Sequence, residues 1–458
     1  MFLRKVVSKV MRSEGALYKT TMLLSYFIQA IFALIPITKI CMIYEMFIIL
    51  WVIAIIGMSY EAISQYFIQN ESGLNSLISS ILFMAHVVGH LAVLMESWKM
   101  RKYRIPLFEK FVYLEKTMED NFIVSLSSWW KSLNNRVVAF IWIFISMLIF
   151  AHGLIIWTTF NVESNAGSLY LYSLQSFLAL QFKTFEFLIA IIHINYHAQR
   201  MRELINEIGE RNLERIFGNV IVGEEKIIKV YSPRQEQEDE GHIGIYKTAY
   251  NELYATICLI NAAYGWSLLT LTAVYFIDFV CNTFWILVAL LDVNRNYYVL
   301  LQNGCFALLA FMLLSFMCWY CDKADYESRY IGCFISKLVK QPLGNKRYND
   351  LVSEFSIQTL HQRFIITAKE FFTLNLGLLG SMVAAIVTYL VILIQFMFTE
   401  KNNRQRIHEA KMLETTTSMA IIALQNVTGF NDKYPTVADN LNDIARAVNH
   451  TVLANIKN

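Results

Sequence analysis

Long apolar runs constrain this chain more than any other feature of its sequence. A helix needs about 20 consecutive apolar residues to cross about 30 Å of hydrocarbon. Seven stretches have that length: Tyr44–Ser64, Leu74–Leu94, Val137–Trp157, Leu169–Ile194, Tyr254–Val280, Val299–Tyr320 and Leu376–Phe398. Backbone groups inside a bilayer must be hydrogen-bonded within the protein, which a helix achieves alone. The sequence therefore predicts an all-α, polytopic membrane protein with seven transmembrane helices.

The composition supports a membrane protein and argues against several other classes. The 458 residues are 56% hydrophobic and 16% charged, whereas soluble domains carry about 25% charged residues. The net charge of +3, without a basic and aromatic module, gives no support for nucleic-acid binding. No enzyme or cofactor motif stands out. Of seven cysteines, only Cys281 falls near a predicted outer surface, so no extracellular disulfide framework is expected.

The distribution of Lys and Arg predicts the orientation in the membrane. These residues are concentrated in the connections that follow the second, fourth and sixth spans. The connections after the first and third spans have none, and the one after the fifth has only Arg295. Cytoplasmic loops are the ones enriched in Lys and Arg. We therefore expect a multi-pass protein of the plasma membrane with a cytoplasmic N-terminus.

The last predicted span carries polar residues on one face. Ser381, Thr388 and Gln395 are spaced seven residues apart, which places them on one side of a helix. Polar groups inside a membrane usually face protein or water. The spacing leaves two interpretations open, a polar seam packed against a neighbouring helix and the lining of a pore.

This span also resembles a known family. Thr388-Tyr389, five apolar residues and Gln395-Phe396 resemble the C-terminal signature of insect gustatory receptors. The preceding segment is similar to the family too, through Glu354-Phe355-Ser356-Ile357-Gln358, His361, Phe364, Phe371-Phe372 and Leu378-Leu379. Asn261, in the context Leu-Ile-Asn-Ala-Ala-Tyr-Gly, fits further upstream. The chain departs from the family pattern after Phe398, where these receptors typically stop within a few residues.

The resemblance implies a tetrameric, ligand-gated, non-selective cation channel whose last helix lines the pore. The signature residues are then Thr388, Tyr389, Gln395 and Phe396. We expect Ser381, Thr388 and Gln395 to line the pore. Phe396 lies about 100° of helix away from Gln395, so a small rotation could exchange a hydrophobic ring for an amide ring and gate the pore by dewetting.

The ligand-binding candidates are aromatic and hydrogen-bonding residues in the predicted outer halves of the spans. They are His152, Trp157, Tyr172, Gln175, Trp266, Thr272, Tyr275, Asp278, Gln302 and Asn303. Such a mixture suits a small polar or amphipathic molecule, and the resemblance implies a tastant, either a sugar or a bitter compound. The alternative is that the aromatic residues lie at the membrane interface, where Tyr and Trp are common.

These expectations divide the chain into five segments. Residues 1–43 form a cytoplasmic N-terminus with a short re-entrant or interfacial helix, because Pro36 interrupts its apolar run. Residues 44–320 carry six spans, the ligand cavity and long helical cytoplasmic connections. Residues 321–375 form cytoplasmic anchor helices, with a helix predicted over Tyr348–Phe372. Residues 376–398 form the pore helix, and 399–458 form an extracellular polar tail whose composition favours disorder.

Sequons on predicted outer segments give three expected glycosylation sites, Asn70, Asn426 and Asn449. The expected partners are the tastant, membrane lipid and other gustatory receptor subunits in a homo- or heterotetramer, with neither nucleic acid nor a cofactor.

Two alternatives to a self-sufficient receptor stay open. One is a secondary transporter that uses Lys183 and Glu186 with the two histidines of the second span, and the other is a co-receptor subunit that is silent without a partner. Lys183 and Glu186 are three residues apart and are expected to neutralise one another. His86 and His90 have no Cys or carboxylate at close spacing, so we expect packed, hydrogen-bonded histidines and no metal site.

Overall fold

Helices make up nearly all of the regular structure. The computed structural model describes residues 16–32, 34, 39–69, 73–121, 126–161, 166–217, 233–291, 297–338 and 346–427. The helices are α1 (Ala16–Ile31), α2 (Lys39–Gln69), α3 (Gly73–Asn121), α4 (Leu126–Asn161), α5 (Ala166–Phe217), α6 (Pro233–Leu291), α7 (Tyr297–Leu338), α8 (Lys346–His361) and α9 (Leu376–Val427). Two short strands, β1 (Thr367–Ala368) and β2 (Phe372–Thr373), pair antiparallel. The chain divides into two compact units, residues 1–386 and 387–458.

The prediction of an all-helical, polytopic membrane protein is confirmed. Among the described helices, six are long and apolar enough to span a bilayer, and they are α3 to α7 and α9. The first predicted span falls in α2, where the apolar part within the described residues is the shorter segment Met42–Gly57. The seven-span count and the orientation stay predictions.

Besides α9, four helices reach about twice the length that a membrane requires. α3 has 49 residues, α5 has 52, α6 has 59 and α7 has 42. At about 1.5 Å per residue, even the shortest is about 60 Å long. The extra turns lie at the ends that the Lys and Arg distribution assigns to the cytoplasm. The predicted helical inner connections are therefore continuous with the spans, and α8 packs against the extended parts of α6 and α7.

The core is built around α5, which packs against α3, α4, α6 and α7. Its large side chains are buried over several successive turns, including Phe177, Phe185, Phe187 and Ile194. A helix that is apolar around its circumference belongs in an interior and not on a surface. Polar side chains carried by α5 are consequently held inside the protein.

The helix predicted over Tyr348–Phe372 is wrong in its second half, because α8 ends at His361. The segment Gln362–Leu374, here called the strap, is extended and contains β1 and β2. The Phe371 N–H donates to the Ala368 carbonyl at 3.1 Å, which closes a tight turn. The two central residues, Lys369 and Glu370, have φ of 52° and 66°, as in a type I′ hairpin turn.

Asn261 of α6 holds the strap through both ends of its side-chain amide. Its Nδ2 donates to the Ile365 carbonyl at 2.9 Å, and its Oδ1 accepts the Thr367 N–H at 3.1 Å. One turn further along α6, Gly265 permits close approach, since a Cβ there would lie 3.3 Å from the Lys369 backbone nitrogen. The amide of Asn261 therefore replaces the neighbouring strand that this backbone would otherwise need.

Helix α7 holds the strap on the other side. The Arg363 guanidinium donates to both carboxylate oxygens of Asp325, each at 2.7 Å from Nη2. The buried Phe364 N–H donates to Ser328 Oγ at 3.3 Å. Bidentate Arg–carboxylate contacts fix geometry as well as charge. The strap is thus anchored to α6 and α7 immediately before α9 begins.

The predicted disorder after Phe398 is also wrong for part of the tail, because α9 continues to Val427. The segment 399–427 has no Gly or Pro and is rich in Ala, Leu, Met, Lys, Arg, Glu and Gln, which are the strongest helix formers. Residues 428–458 lie outside the described residues.

The strap generates the first prediction. Asn261→Ala should raise the rate of hydrogen exchange at the Thr367 amide by about 10- to 100-fold, because each unpaired buried group costs about 1–3 kcal/mol. Hydrogen exchange of the detergent-purified full chain measures this. Asn303→Ala is the control, since that amide donates to the Val299 carbonyl of its own helix. An unchanged rate in Asn261→Ala would mean that Asn261 does not hold the strap.

Candidate functional site

Aromatic and imidazole rings from three helices, α3, α4 and α7, converge on Phe177 of α5. The ring centroid of Phe177 lies 4.7 Å from that of His86 on α3, 5.4 Å from that of His152 on α4 and 5.5 Å from that of Phe306 on α7. All four side chains are buried. Phe177 is therefore the centre of an aromatic contact shared by most of the bundle.

Polar contacts surround this centre. His86 Nε2 lies 2.7 Å from Asp278 Oδ1 of α6, and both side chains are almost fully buried. His152 Nε2 lies 2.8 Å from Gln181 Oε1. Taking a carboxylate out of water is costly unless a partner compensates, so His86 is the group that makes a buried Asp278 tolerable.

A second layer of contacts lies alongside on the same helices. His90 Nδ1 is 3.2 Å from Ser176 Oγ, and the hydroxyl oxygens of Tyr275 and Thr184 are 2.7 Å apart. Tyr275 is completely buried. We use the name polar cluster for the residues around Phe177 that α3, α4, α5 and α6 contribute: His86, His90, His152, Ser176, Gln181 and Asp278.

Some polar atoms here have no hydrogen-bond partner among the described residues. His86 Nε2 and both carboxylate oxygens of Asp278 belong to this group, although His86 Nε2 and Asp278 Oδ1 contact one another. The other three atoms are Gln181 Nε2 and His90 Nε2 in the polar cluster, and Thr272 Oγ1 on α6. An unpaired buried polar group costs about 1–3 kcal/mol, and native structures contain few of them. These three atoms offer hydrogen-bonding capacity to a polar molecule that enters the bundle.

Two other predicted ligand residues lie closer to the ends of the helices. The rings of Trp157 and Tyr298 meet edge to face at 5.6 Å, and both side chains are exposed. Gln302 Nε2 donates to Thr159 Oγ1 at 3.0 Å. These contacts join α4 to the start of α7.

The remaining predicted ligand residues are not brought together. Gln175 Oε1 accepts from Trp51 Nε1 at 3.0 Å, and Asn303 bonds within α7. The ring of Trp266 lies 6.5 Å from that of Phe371 in the strap, 12 residues or about 18 Å along α6 from Asp278. Tyr172 lies in α5, but its side chain is outside the described residues.

Thus His152 and Asp278 belong to the polar cluster, and Tyr275 and Thr272 lie within about two turns of Asp278 on α6, whereas Trp266 lies 12 residues away on that helix. Sequence analysis missed Phe177 and Ser176, which give no signal of their own in an apolar run. His86 and His90 are packed, but against Asp278 and Ser176 and not against each other, and the His90–Ser176 contact is the one with hydrogen-bond geometry among the described residues. Within the described residues, no group of three or more His, Cys, Asp or Glu is arranged to hold a metal ion.

Lys183 and Glu186 form the ion pair that their spacing predicts. Lys183 Nζ lies 2.9 Å from Glu186 Oε2, and Tyr264 Oη donates to Glu186 Oε1 at 2.9 Å. The Lys183 ammonium also lies 4.7 Å from the centre of the Tyr264 ring. Both oxygens of this carboxylate are therefore engaged, unlike the polar atoms around Phe177.

The polar face of α9 is exposed on the surface of the single chain. Ser381, Thr388 and Gln395 are all exposed, and Ser381 Oγ donates to the Gly377 carbonyl of its own helix at 3.0 Å. The Phe396 side chain is 62% exposed and that of Tyr389 is 52% exposed. Exposed polar groups in an apolar helix need protein or water beside them.

An open groove of 790 Å³ lies elsewhere, between α3, α6 and the strap. Its lining includes Lys110, which forms an ion pair with Glu252, and Gln362, whose amide donates to Asn251 at 3.4 Å. These side chains already have partners, so the groove is a weaker candidate for a ligand site than the polar cluster.

Two predicted glycosylation sites, Asn70 and Asn449, lie outside the described residues. Asn426 falls in the last turn of α9, where its side chain is not described.

The geometry can now be compared with known proteins. A family model described as a 7tm chemosensory receptor matches residues 15–400. The chain belongs to this family. Family membership confirms a receptor and not an enzyme, and it gives no support to the transporter alternative.

Curated relatives confirm the resemblance to insect gustatory receptors. Gustatory receptor 23a of Drosophila melanogaster is 42% identical over 234 residues, which cover 51% of this chain and 60% of that protein. Putative gustatory receptor 39b of the same species is 31% identical over 152 residues, or 33% of this chain and 41% of that protein. The chain therefore spans less than two thirds of the length of these relatives.

Solved structures share the fold. The insect olfactory receptor OR5 from Machilis hrabei in complex with eugenol superposes with a TM-score of 0.58 at 14% identity, covering 83% of this chain and 99% of that one. A second structure of that receptor gives a TM-score of 0.53 at 14% identity, with coverage of 78% and 90%.

The His86–Asp278 contact generates the second prediction. His86→Ala should lower the thermal stability of the purified receptor in the wild-type background and much less in an Asp278→Ala background. Removing one partner leaves the other polar side chain buried and unpaired, which costs about 1–3 kcal/mol, and the double-mutant cycle cancels the cavity that each truncation leaves. Unfolding midpoints in detergent measure the coupling. Additive effects would show that the two side chains do not stabilise one another.

Proposed function

We propose that this protein is a gustatory-type chemoreceptor of the plasma membrane, a ligand-gated, non-selective cation channel opened by a small tastant. The observation that carries the proposal is the polar cluster around Phe177. Four helices contribute polar side chains to it, and Gln181 and His90 have atoms without a hydrogen-bond partner among the described residues. Polar groups inside a membrane bundle are costly and mark sites of function.

The chemistry of the polar cluster suits a compact ligand with both apolar and hydrogen-bonding parts. Phe177 and Phe306 supply aromatic faces, and Gln181 Nε2 supplies a donor that has no partner among the described residues. Sugars and bitter compounds both combine apolar faces with hydroxyl or amide groups. The receptor of the same fold that was captured with eugenol supports a small-molecule ligand.

The pore in this proposal is formed by α9 of four copies, in a homotetramer or with other gustatory receptor subunits. Ser381, Thr388 and Gln395 occupy one face and are exposed in the single chain. Around a fourfold axis each becomes a ring of four, and Phe396 forms the adjacent hydrophobic ring. The N-terminus is cytoplasmic in this arrangement, as the Lys and Arg distribution predicts.

Helix α6 provides the connection between ligand and pore. It carries Asp278 in the polar cluster and Asn261 on the strap, 17 residues or about 26 Å apart along one helix. The strap leads directly into α9 at Leu376. A ligand that shifts α6 therefore also moves the backbone at the start of the pore helix.

The third prediction tests the channel and its pore. In voltage-clamped cells that express the chain, at least one of sucrose, fructose, caffeine and denatonium should evoke a cation current that reverses near zero. Gln395→Glu should increase divalent block and cation preference, because a ring of carboxylates concentrates cations. Phe396→Ala should raise the current without ligand.

Gln405→Glu, beyond the predicted span, is the matched control and should leave permeation unchanged. A Gln395→Glu receptor that reaches the surface and responds but has unchanged permeability and block would assign this face to packing. The absence of any current from a surface-expressed receptor, both alone and together with another gustatory receptor subunit, would contradict the proposed function.

The fourth prediction tests the ligand site with an isosteric change. Thr272→Val removes a hydroxyl that has no partner within the described residues. It should leave stability unchanged or slightly higher, yet raise the effective tastant concentration by up to about tenfold, since a hydrogen bond is worth about 0.5–1.5 kcal/mol.

Thr256→Val is the control on the same helix, because the Thr256 hydroxyl donates to the Glu252 carbonyl at 2.8 Å. Concentration–response curves at matched surface expression provide the measurement. Equal curves for wild type and Thr272→Val would remove Thr272 from the ligand site.

A further inference from the structure

All but the first two residues of the part of α9 that follows the predicted pore segment lie beyond the family match, which ends at residue 400. The helix nevertheless continues without interruption to Val427 and has 52 residues. At about 1.5 Å per residue it is about 78 Å long, more than twice the thickness of a membrane core. We call residues 399–427 the extension.

The extension has a seam of small and apolar residues with heptad spacing. Intervals of three, four, three, four and three residues separate Ala410, Leu413, Thr417, Ala420, Leu424 and Val427. This is the alternation of the a and d positions of a coiled coil. Ile407 and Ile421 occupy e positions of the same register, which widens the apolar face as in bundles of several helices.

Among the described residues, apolar side chains on and beside the seam are exposed. Leu413 is 54% exposed and Ile407 is 49% exposed. Lys401, Arg404 and Lys411 occupy f and b positions of this register, on the face opposite the seam, where their charges face water. A repeat of 3.5 residues matches another helix with the same repeat, since both supercoil to keep their seams in contact.

The same register continues back into the pore segment. Counting upstream in the same intervals gives Arg406, Asn403, Thr399, Phe396, Ile392 and Tyr389. Phe396, the proposed gate, therefore lies on the seam, and Gln395 is its immediate neighbour. Copies that turn Phe396 towards a common axis also turn their extensions towards one another.

We propose that the extension assembles with the same segment of the other copies into a parallel four-helix coiled coil on the pore axis. The proposal rests on the tetrameric channel proposed above. Copies inserted in one membrane orientation can pair only in parallel, which excludes antiparallel partners within a receptor. The occupant of the seam is thus a second copy of this chain.

The charges beside the seam make this coiled coil weak on its own. In a parallel bundle, the g position of one helix faces the e position of its neighbour, and here these are Glu409 and Glu414. Their repulsion opposes assembly of free segments. The membrane part of the receptor compensates, because it holds the four extensions at high effective concentration.

The seam is also interrupted next to the pore. Asn403 and Arg406 occupy successive a and d positions, and four Arg406 side chains in one layer repel each other. The helices therefore separate in this interval, between the pore and the apolar layers that begin at Ala410. Cations leave the axis at the Asn403 layer, on the pore side of Arg406, because a ring of Arg repels them. This exit reconciles a closed coiled coil with a conducting axis.

Three consecutive threonines provide the test. The hydroxyls of Thr415, Thr416 and Thr417 each donate to the carbonyl four residues earlier, at 2.8, 2.7 and 2.7 Å, so their environments within one chain are matched. Thr417 lies on the seam, whereas Thr415 points about 200° away. Thr417→Cys and Thr415→Cys are made in the full chain, and membranes are oxidised with copper phenanthroline.

Thr417→Cys should form covalent dimers at least about tenfold faster than Thr415→Cys, because a disulfide needs Cα atoms about 4.4–6.8 Å apart. The wild-type chain reports cross-linking by the native cysteines. Leu413→Asp added to Thr417→Cys should abolish the fast reaction, whereas Ser418→Asp, on the outer face, should not.

Equal rates for the two cysteines, or no reaction above wild type, would overturn the coiled coil. The assay requires neither ligand nor current, so its failure is distinguishable from failure of the channel. A receptor that conducts but does not cross-link at Thr417 lacks the coiled coil. One that cross-links but never conducts lacks the proposed function.

Discussion

A polar group buried in an apolar helical bundle must find its partner inside the protein, and the rest of this structure depends on that constraint. It explains why the irregular strap is tolerated, since Asn261 hydrogen-bonds its backbone from α6 and the Arg363–Asp325 contact holds it against α7. It also explains the close contact between His86 and Asp278. The helices satisfy their own backbones, so specific side-chain contacts are needed only where the chain leaves the helix or buries a charge.

The same constraint separates structural polar groups from those available to a ligand. In the Lys183–Glu186 pair both oxygens of the Glu186 carboxylate are already bonded, Oε2 to Lys183 and Oε1 to the Tyr264 hydroxyl. The polar cluster around Phe177 can still bind a polar group. Gln181 Oε1 contacts His152, whereas Gln181 Nε2 has no hydrogen-bond partner among the described residues. A purely structural network gains nothing from such an atom, which costs about 1–3 kcal/mol. A ligand that accepts a hydrogen bond from this atom would remove the cost when it binds.

Local spacing decided how much the sequence could predict. The spans follow from the lengths of the apolar runs, and the Lys183–Glu186 contact follows from its three-residue spacing within one helix. The strap could not be predicted, because Asn261 and Arg363 come from distant parts of the sequence and the turn places two non-glycine residues at positive φ. Nor could the pairing of His86 with Asp278, which depends on the relative rotation of α3 and α6. Trp266 was grouped with Asp278 because both lie in one span, but they lie at different depths along α6.

A ligand site that offers only one or two new hydrogen bonds is sufficient to gate a tetrameric channel. Shifting a closed-to-open equilibrium from 1:99 to 99:1 needs about 5.5 kcal/mol of differential binding. In the proposed tetramer four ligands share this requirement, so each must bind the open state better by about 1.4 kcal/mol. One or two hydrogen bonds at about 0.5–1.5 kcal/mol each suffice. Gln181 and Thr272 together offer that capacity, provided that α6 and the strap transmit the change without loss. The anchoring of the strap on two helices is therefore as important for the switch as the affinity of the ligand.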